Sequence, residues 1–402
     1  ILISIFVIGC VDDAGKDMES KQEKELSDSL GEDTNEKIDE GESQDKKDES
    51  GDAKSSLVAD DNLDLMIAKG FDIDVLVDNV DGARVLTQPD ELGNRWLSRT
   101  KEGVVSLLVF NDQGGVERVD DIFTNLNNPH GIAIDPQDGL VLYIAEEDKV
   151  SRVRLYTEGG METLVELPEG GRHFTRTLHF GPDGRLYVSI GSSCDTCFEE
   201  DERRASIYVM DKDGSNFEQY ASGLRNAVFL ANNYINGEIW VTEMGRDFLG
   251  DDLPPDEINV LKQGGDYGWP SCYGKNIQDE QFEEAESCDD KIPAKINIQA
   301  HSAPLGLAFM TEEGWPEAYW YDLMVAYHGS WNRDIPTGYK IKRFILNDQG
   351  DLLGREDFIE GWLQEDESYT GRPVDVLIEP AKMYITDDYG GKVYIVTKKS
   401  NS

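Results

Sequence analysis

The chain has 402 residues, 30% of them charged, with 81 acidic against 38 basic side chains and a net charge of −43. That balance argues against nucleic acid as a partner, which needs clustered Lys and Arg, and against adhesion to anionic lipid. The acidity is read as solubility, so basic residues gathered in a pocket would stand out against it.

Residues 1–10 are apolar and end in Val7-Ile8-Gly9-Cys10. This resembles a lipoprotein signal remnant, with Cys10 as the lipidated residue. The reading places the protein outside the cytoplasm, periplasmic or at the cell surface, touching a membrane only through that anchor. Residues 11–64 are rich in Asp, Glu, Lys and Ser and have no aromatics. Such a stretch cannot bury enough apolar surface to offset chain entropy, so it is expected to be a disordered tether. Residues 65–402 are expected to form the folded domain.

Five cysteines are present, and setting Cys10 aside leaves Cys194, Cys197, Cys272 and Cys288. An even number in an exported chain points to two disulfides, and local pairing is the simplest of three connectivities. Half a zinc site at Cys194-Asp-Thr-Cys197 is the alternative, but no second half completes it.

From about Phe71 onward, short alternating apolar runs are separated by Gly, Asp, Asn and Pro, which predicts an all-β protein. A degenerate repeat runs through it. Asp135-Pro-Gln-Asp-Gly139 precedes Leu-Val-Leu-Tyr143, Gly181-Pro-Asp-Gly184 precedes Arg-Leu-Tyr187, and Asn236-Gly237 precedes Glu-Ile-Trp240. Tyr321-Asp322 and Ile378-Glu-Pro380 open later copies, and Glu91-Leu-Gly93 opens a weaker first one. Each copy is read as a turn feeding an inner strand and then an outer one. Six copies predict a six-bladed β-propeller, whose loops bring distant residues to one mouth.

The polar residues fall in those predicted loops. In chain order they are Asn128-Pro-His130-Gly131, Arg172-His173, Gly223-Leu-Arg225-Asn226 and Gly245-Arg246. Asp256-Glu257-Ile-Asn259, Asp266-Tyr267-Gly268-Trp269-Pro270, His328-Gly-Ser-Trp331-Asn-Arg333 and Gly371-Arg372-Pro-Val-Asp375 follow. Of the five histidines, only His179 lies inside a strand run, where a structural role is expected.

Order and spacing of these elements resemble the soluble quinoprotein sugar dehydrogenases, the glucose/sorbosone dehydrogenase family. The resemblance spans roughly residues 71–398. It implies a six-bladed propeller that binds pyrroloquinoline quinone (PQQ) and Ca²⁺ and oxidises an aldose or related sugar aldehyde at C1, with an external electron acceptor. His173 occupies the place of the general base; imidazole suits it because its pKa lies near working pH. Arg225, Asn226, Arg333 and Arg372 fall where the family holds PQQ, with His130 on the substrate side. Gly245 and Arg246 would present carbonyls to calcium, and Glu257 with Tyr267 match a second calcium site. The chain departs from the family pattern in several places. Arg172 stands where glucose-oxidising members have an acidic residue, Val374 replaces a second Arg, and residues 247–255 form a short insertion. Two rival readings share the fold: a calcium-dependent lactonase-like hydrolase, and a non-catalytic propeller binding a sugar or protein.

Overall fold

The computed structural model describes residues 56–60, 62–282 and 287–399. The lipid-anchor motif and most of the expected tether lie outside the described residues. Among the described residues the strands form six sheets arranged as propeller blades, together with one small hairpin, Cys272–Tyr273 with Ile277–Gln278. No helix among them is long and apolar enough to cross a membrane.

The first strand of each blade lines the axis. These strands are Ala83–Leu86, Ile132–Asp135, Leu178–Phe180, Ala227–Asn232, Pro304–Phe309 and Pro373–Glu379. Residues from all six surround one axial cavity of about 290 Å³. The repeat is therefore placed one strand differently from the sequence reading. The Gly181-Pro-Asp-Gly184 turn joins the innermost strand Leu178–Phe180 to the second strand Leu186–Ile190. The run after each turn is thus the second strand of its blade. Gly184 has φ +76°, a left-handed position where a side chain would be strained.

Second strands are buried on both faces because blades stack against them. Ile239–Glu243 is buried throughout, and Trp240 meets Phe309 of the next blade edge-on at 5.4 Å. Outer strands show the opposite pattern. Val116–Phe123 is half-buried or exposed along its length and carries Arg118, Asp120 and Asp121. Charges on such an edge discourage pairing with another chain.

The ring closes through the start of the domain. Phe71–Asp78 pairs with Lys392–Lys398 and completes the last blade. Leu57–Ala59 and Met66–Ala68 add two strands outside Leu352–Glu360 of the fifth blade. Leu57–Ala59 falls inside the stretch expected to be tether, so the ordered chain begins earlier than residue 65. Three apolar residues in an acidic stretch suffice because the sheet edge supplies the partner.

One buried carboxyl sits at the axis. Asp375 accepts a hydrogen bond from the Leu86 N–H, and burial pushes it from an ordinary 3.8 up to about 7. A folded-state pKa raised this way makes the folded form hold its proton longer than the unfolded chain does. Stability then falls as pH rises from about 4 to about 7. Asp375→Asn keeps an acceptor for Leu86 and removes the charge. It should raise stability by about 2–4 kcal/mol at pH 8, with the gain vanishing near pH 4. Denaturant melts of both proteins at the two pH values check this.

Candidate active site

First strands begin, and second strands end, at the same mouth of the propeller. The loops there carry the polar residues singled out in the sequence. In the third blade the buried Arg176 organises the loop before Leu178–Phe180. Its Nη1 donates to the carbonyls of His173 and Thr175 at 2.9 Å, and its Nη2 donates to Pro168 O at 2.7 Å. A guanidinium is suited to this because it presents several donors in one plane.

His173 Nδ1 lies 2.8 Å from Ser192 Oγ and 3.1 Å from Ser192 O. The Ser192 hydroxyl donates its own proton to Cys194 O at 2.7 Å. Both neighbours of Nδ1 are therefore acceptors, which assigns the proton to Nδ1 and the lone pair to Nε2. Burial, then the nearby Arg225 and Arg172, hold the ring well below the ordinary histidine range. His173 is thus a neutral base near pH 7.

An ion network adjoins it. Arg225 is buried and donates to Asp195 O at 2.8 Å, to Asp195 Oδ1 at 2.6 Å and to Met244 O at 3.3 Å. Asp195 sits in the turn closed by the Cys194–Cys197 disulfide. Asp247 receives Arg172 Nη2 at 2.5 Å, Arg225 Nη2 at 3.3 Å and Asn332 Nδ2 at 2.9 Å. Arg172, the departure beside His173, thus has its partner in the inserted segment. Asn226 donates its N–H to Glu243 Oε1 at 3.0 Å.

On the far side of the mouth, Arg84 pairs with Asp388 at 3.0 Å, and His328 Nε2 reaches the same carboxylate at 2.9 Å. Burial lowers His328 to about 4. His328 and then Arg84 hold the buried Asp388 carboxyl well below the ordinary carboxylate range. His130 is fully buried behind Arg84, with Nε2 at 3.3 Å from Arg84 Nη2 and Nδ1 at 3.1 Å from Thr177 Oγ1. Both ring nitrogens are engaged, so His130 backs the mouth rather than facing it. Arg372 donates to the His328 and Gly329 carbonyls at 3.1 and 2.6 Å and lies over the Tyr339 and Tyr369 rings. Arg333 is held by main-chain carbonyls. It donates to the carbonyls of Asp251, Ala300 and Ile335.

Arg84, Asp195, Asp247 and Asp388 escaped the sequence reading. For Arg84 there was a usable sign: a lone cation inside the short apolar run Ala83–Leu86. The acids had none, because their partners lie 22 to 304 residues away.

A cavity of about 20 Å³ lies beneath Gly245, lined by Glu243, Gly245, Arg246, Glu257, Tyr267 and Tyr273 among others. Glu243 Oε2 is buried there without a hydrogen-bond partner. Burial and the nearby Glu257 push the Glu243 carboxyl well above its ordinary range. Glu257 accepts from Gly274 N and Asn259 Nδ2. The Tyr267 hydroxyl donates to Val260 O and accepts from Lys262 N, so its main-chain oxygen is the atom left for a ligand. Gly245 N–H donates to Asp256 Oδ1 at 3.0 Å, and a Cβ at Gly245 would meet Pro254 Cγ at 2.8 Å. The Arg246 side chain pairs with Asp279, which also lines the cavity. Orphaned carboxylate oxygen in a space of this size is chemistry for a hard cation. The second expected disulfide, Cys272–Cys288, is also formed. His179 bonds Asn232 at 2.9 Å within the blades, as expected for a structural residue.

Several solved structures share this architecture. A calcium-containing structure of a Trichoderma reesei carbohydrate-active enzyme of family AA12 aligns with a TM-score of 0.73 and 19% identity, covering 86% of this chain and 100% of that one. The holo PQQ domain of pyranose dehydrogenase from Coprinopsis cinerea gives 0.69 and 20%, covering 86% and 100%. The apo soluble aldose sugar dehydrogenase from Escherichia coli gives 0.62 and 17%, covering 82% and 100%. An uncharacterized protein of Borreliella burgdorferi is 30% identical over 353 residues, covering 83% of this chain and 90% of that protein. The TrAA12-like family model matches residues 65–399, nearly the whole of the described propeller, and the chain belongs to that family.

Proposed function

We propose that the protein is a PQQ- and Ca²⁺-dependent sugar dehydrogenase that oxidises an aldose or related sugar aldehyde. The observation that carries this reading is a neutral, oriented His173, its lone pair on Nε2, in a mouth where Arg225 is buried and Arg84 and Arg372 are half-buried. Such a mouth suits an anionic, carbonyl-bearing cofactor, and Arg84 Nε is a buried donor without a partner. Arg84, Arg225, Asn226 and Arg372 would hold PQQ. Arg333 and His130 would support the loops around it. When bound, PQQ supplies two-electron hydride acceptance. His173 Nε2 takes the proton from the sugar C1 hydroxyl while Ser192 fixes the ring through Nδ1. Glu243, Glu257 and the Tyr267 carbonyl would hold one Ca²⁺, and the Gly245 and Arg246 carbonyls another. An external acceptor removes the electrons. Export and anchoring through Cys10 belong to the same reading, and two disulfides suit an oxidising compartment.

A lactonase of this fold would need Glu, Asn and Asp ligands converging on the axis. The axial cavity is instead lined mostly by Val, Ile, Leu and Phe, with Asp375 its one carboxylate among the described lining residues.

The test is titration of the purified protein with PQQ and Ca²⁺, followed by quinone absorbance and dye reduction with a panel of aldoses. Saturable binding with sugar-dependent bleaching is expected. No binding at micromolar PQQ would overturn the assignment.

A further inference from the structure

Two large aromatic rings stand exposed beside this mouth. Phe248 is 68% exposed and Trp331 is 60% exposed, and they meet edge to face at 5.8 Å. Single exposed apolar residues are ordinary, but a paired aromatic surface beside a cleft marks a binding site. Their bases are fixed rather than loose. Phe248 belongs to the inserted segment 247–255, and Trp331 to the fifth-blade loop. Asn332 Nδ2 donates to Asp247 Oδ1 at 2.9 Å, the Asp334 N–H donates to Asp251 Oδ2 at 3.1 Å, and Arg333 donates to Asp251 O. His301 Nε2 lies 2.9 Å from Gly250 O. The rings are thus exposed at the tip and clamped at the root, which lowers the entropy lost on binding.

The position of the pair limits what it can bind. Arg172 precedes His173, and its guanidinium lies 5.9 Å from the Trp331 ring centroid while it pairs with Asp247. Arg172 thus links the base, its neighbour in sequence, to the platform, its neighbour in space. Pyranose rings carry an apolar C–H face that suits aromatic rings, and Arg172 with Asp247 offers polar groups for the hydroxyls at its edge.

We propose that Phe248 and Trp331 form a second sugar subsite, so that the protein takes the reducing end of an oligosaccharide in preference to a free monosaccharide. This rests on the dehydrogenase reading for the first subsite, but binding at the platform needs no quinone.

Calorimetry and tryptophan fluorescence with glucose, cellobiose and cellotriose, and with xylose and xylobiose, test it. Affinity should rise about tenfold from the monosaccharide to the disaccharide. In Phe248→Ala and Trp331→Ala that ratio should collapse towards one, with thermal melts confirming that both variants fold. Disaccharide-induced fluorescence change should be lost in Trp331→Ala and weakened in Phe248→Ala. Equal affinity across both ladders, or a ratio unmoved by both substitutions, overturns the subsite. So does an intact ladder with slowed reoxidation by an acceptor protein, which would make the platform an acceptor dock. A length-dependent gain without PQQ-linked turnover upholds the subsite and removes the dehydrogenase reading. Oxidation of aldoses without any length gain does the reverse.

Discussion

His173→Ala should lower turnover with PQQ, Ca²⁺ and an aldose by about two to four orders of magnitude, the usual worth of a positioned general base. Quinone binding, followed by absorbance, should persist in the variant. The argument is geometric. Ser192 O and Oγ fix Nδ1, and the Ser192 proton is committed to Cys194 O, so the base lone pair has one position. Glutamine at this position can fill space but cannot accept a proton near neutrality, so His173→Gln should be as inactive as the alanine variant. The pH profile gives an independent reading. Burial and the charges of Arg225 and Arg172 hold His173 well below the ordinary histidine range. A base works deprotonated, so the acid limb of kcat/KM should lie below pH 6.5, the ordinary histidine value. Arg172→Ala removes one of those charges and should move that limb upward. A variant at residue 173 that folds and turns over normally would remove the histidine from the mechanism.

The fold was legible because propeller turns need particular residues. Gly184 must take a left-handed φ, and Gly181-Pro-Asp-Gly184 announces it. The second strands are buried between blades and read as continuous apolar runs such as Ile239–Glu243. The first strands were not legible as a separate set. Leu178–Phe180 has only three residues, too short to show a period. The same limit hid Leu57–Ala59, whose pairing with Met66–Ala68 is a tertiary event. Within the candidate site, His173, Arg225, Asn226 and Glu257 were legible as residue types at a spacing. What each touches was not, since Arg225 answers to Asp195 and Asp247, 30 residues before and 22 residues after it. That distinction matters for Arg333, which the family resemblance placed beside a cofactor and whose carbonyl partners tie it to the inserted segment. The clamp it helps to make is a property of the insertion, so no general pattern could have announced it.

Calcium should raise the melting temperature by about 5–10 °C over protein treated with EGTA. Saturating a single site at about a thousand times its Kd contributes about 4 kcal/mol, and a domain of this size melts about 2 °C higher per kcal/mol. The motivating atom is Glu243 Oε2, buried in the 20 Å³ cavity without a donor. Leaving such an oxygen unmatched costs the folded state about 1–3 kcal/mol if nothing binds it. Glu243→Gln separates the two ways of meeting that cost. The amide can still accept the Asn226 N–H through its oxygen, but it brings no charge to attract a cation. In EGTA the variant should melt at or above the wild type, because it no longer buries an ionisable carboxyl. With calcium added it should gain little, and the order of the two proteins should reverse. Coincident melts of the wild type with and without calcium would mean that the cavity holds no cation. Glu243 would then be a neutral acid, its proton retained by burial and by the charge of Glu257. Reversal, by contrast, would require an ion to be present, since no interaction within the protein can favour the charged residue only when calcium is added.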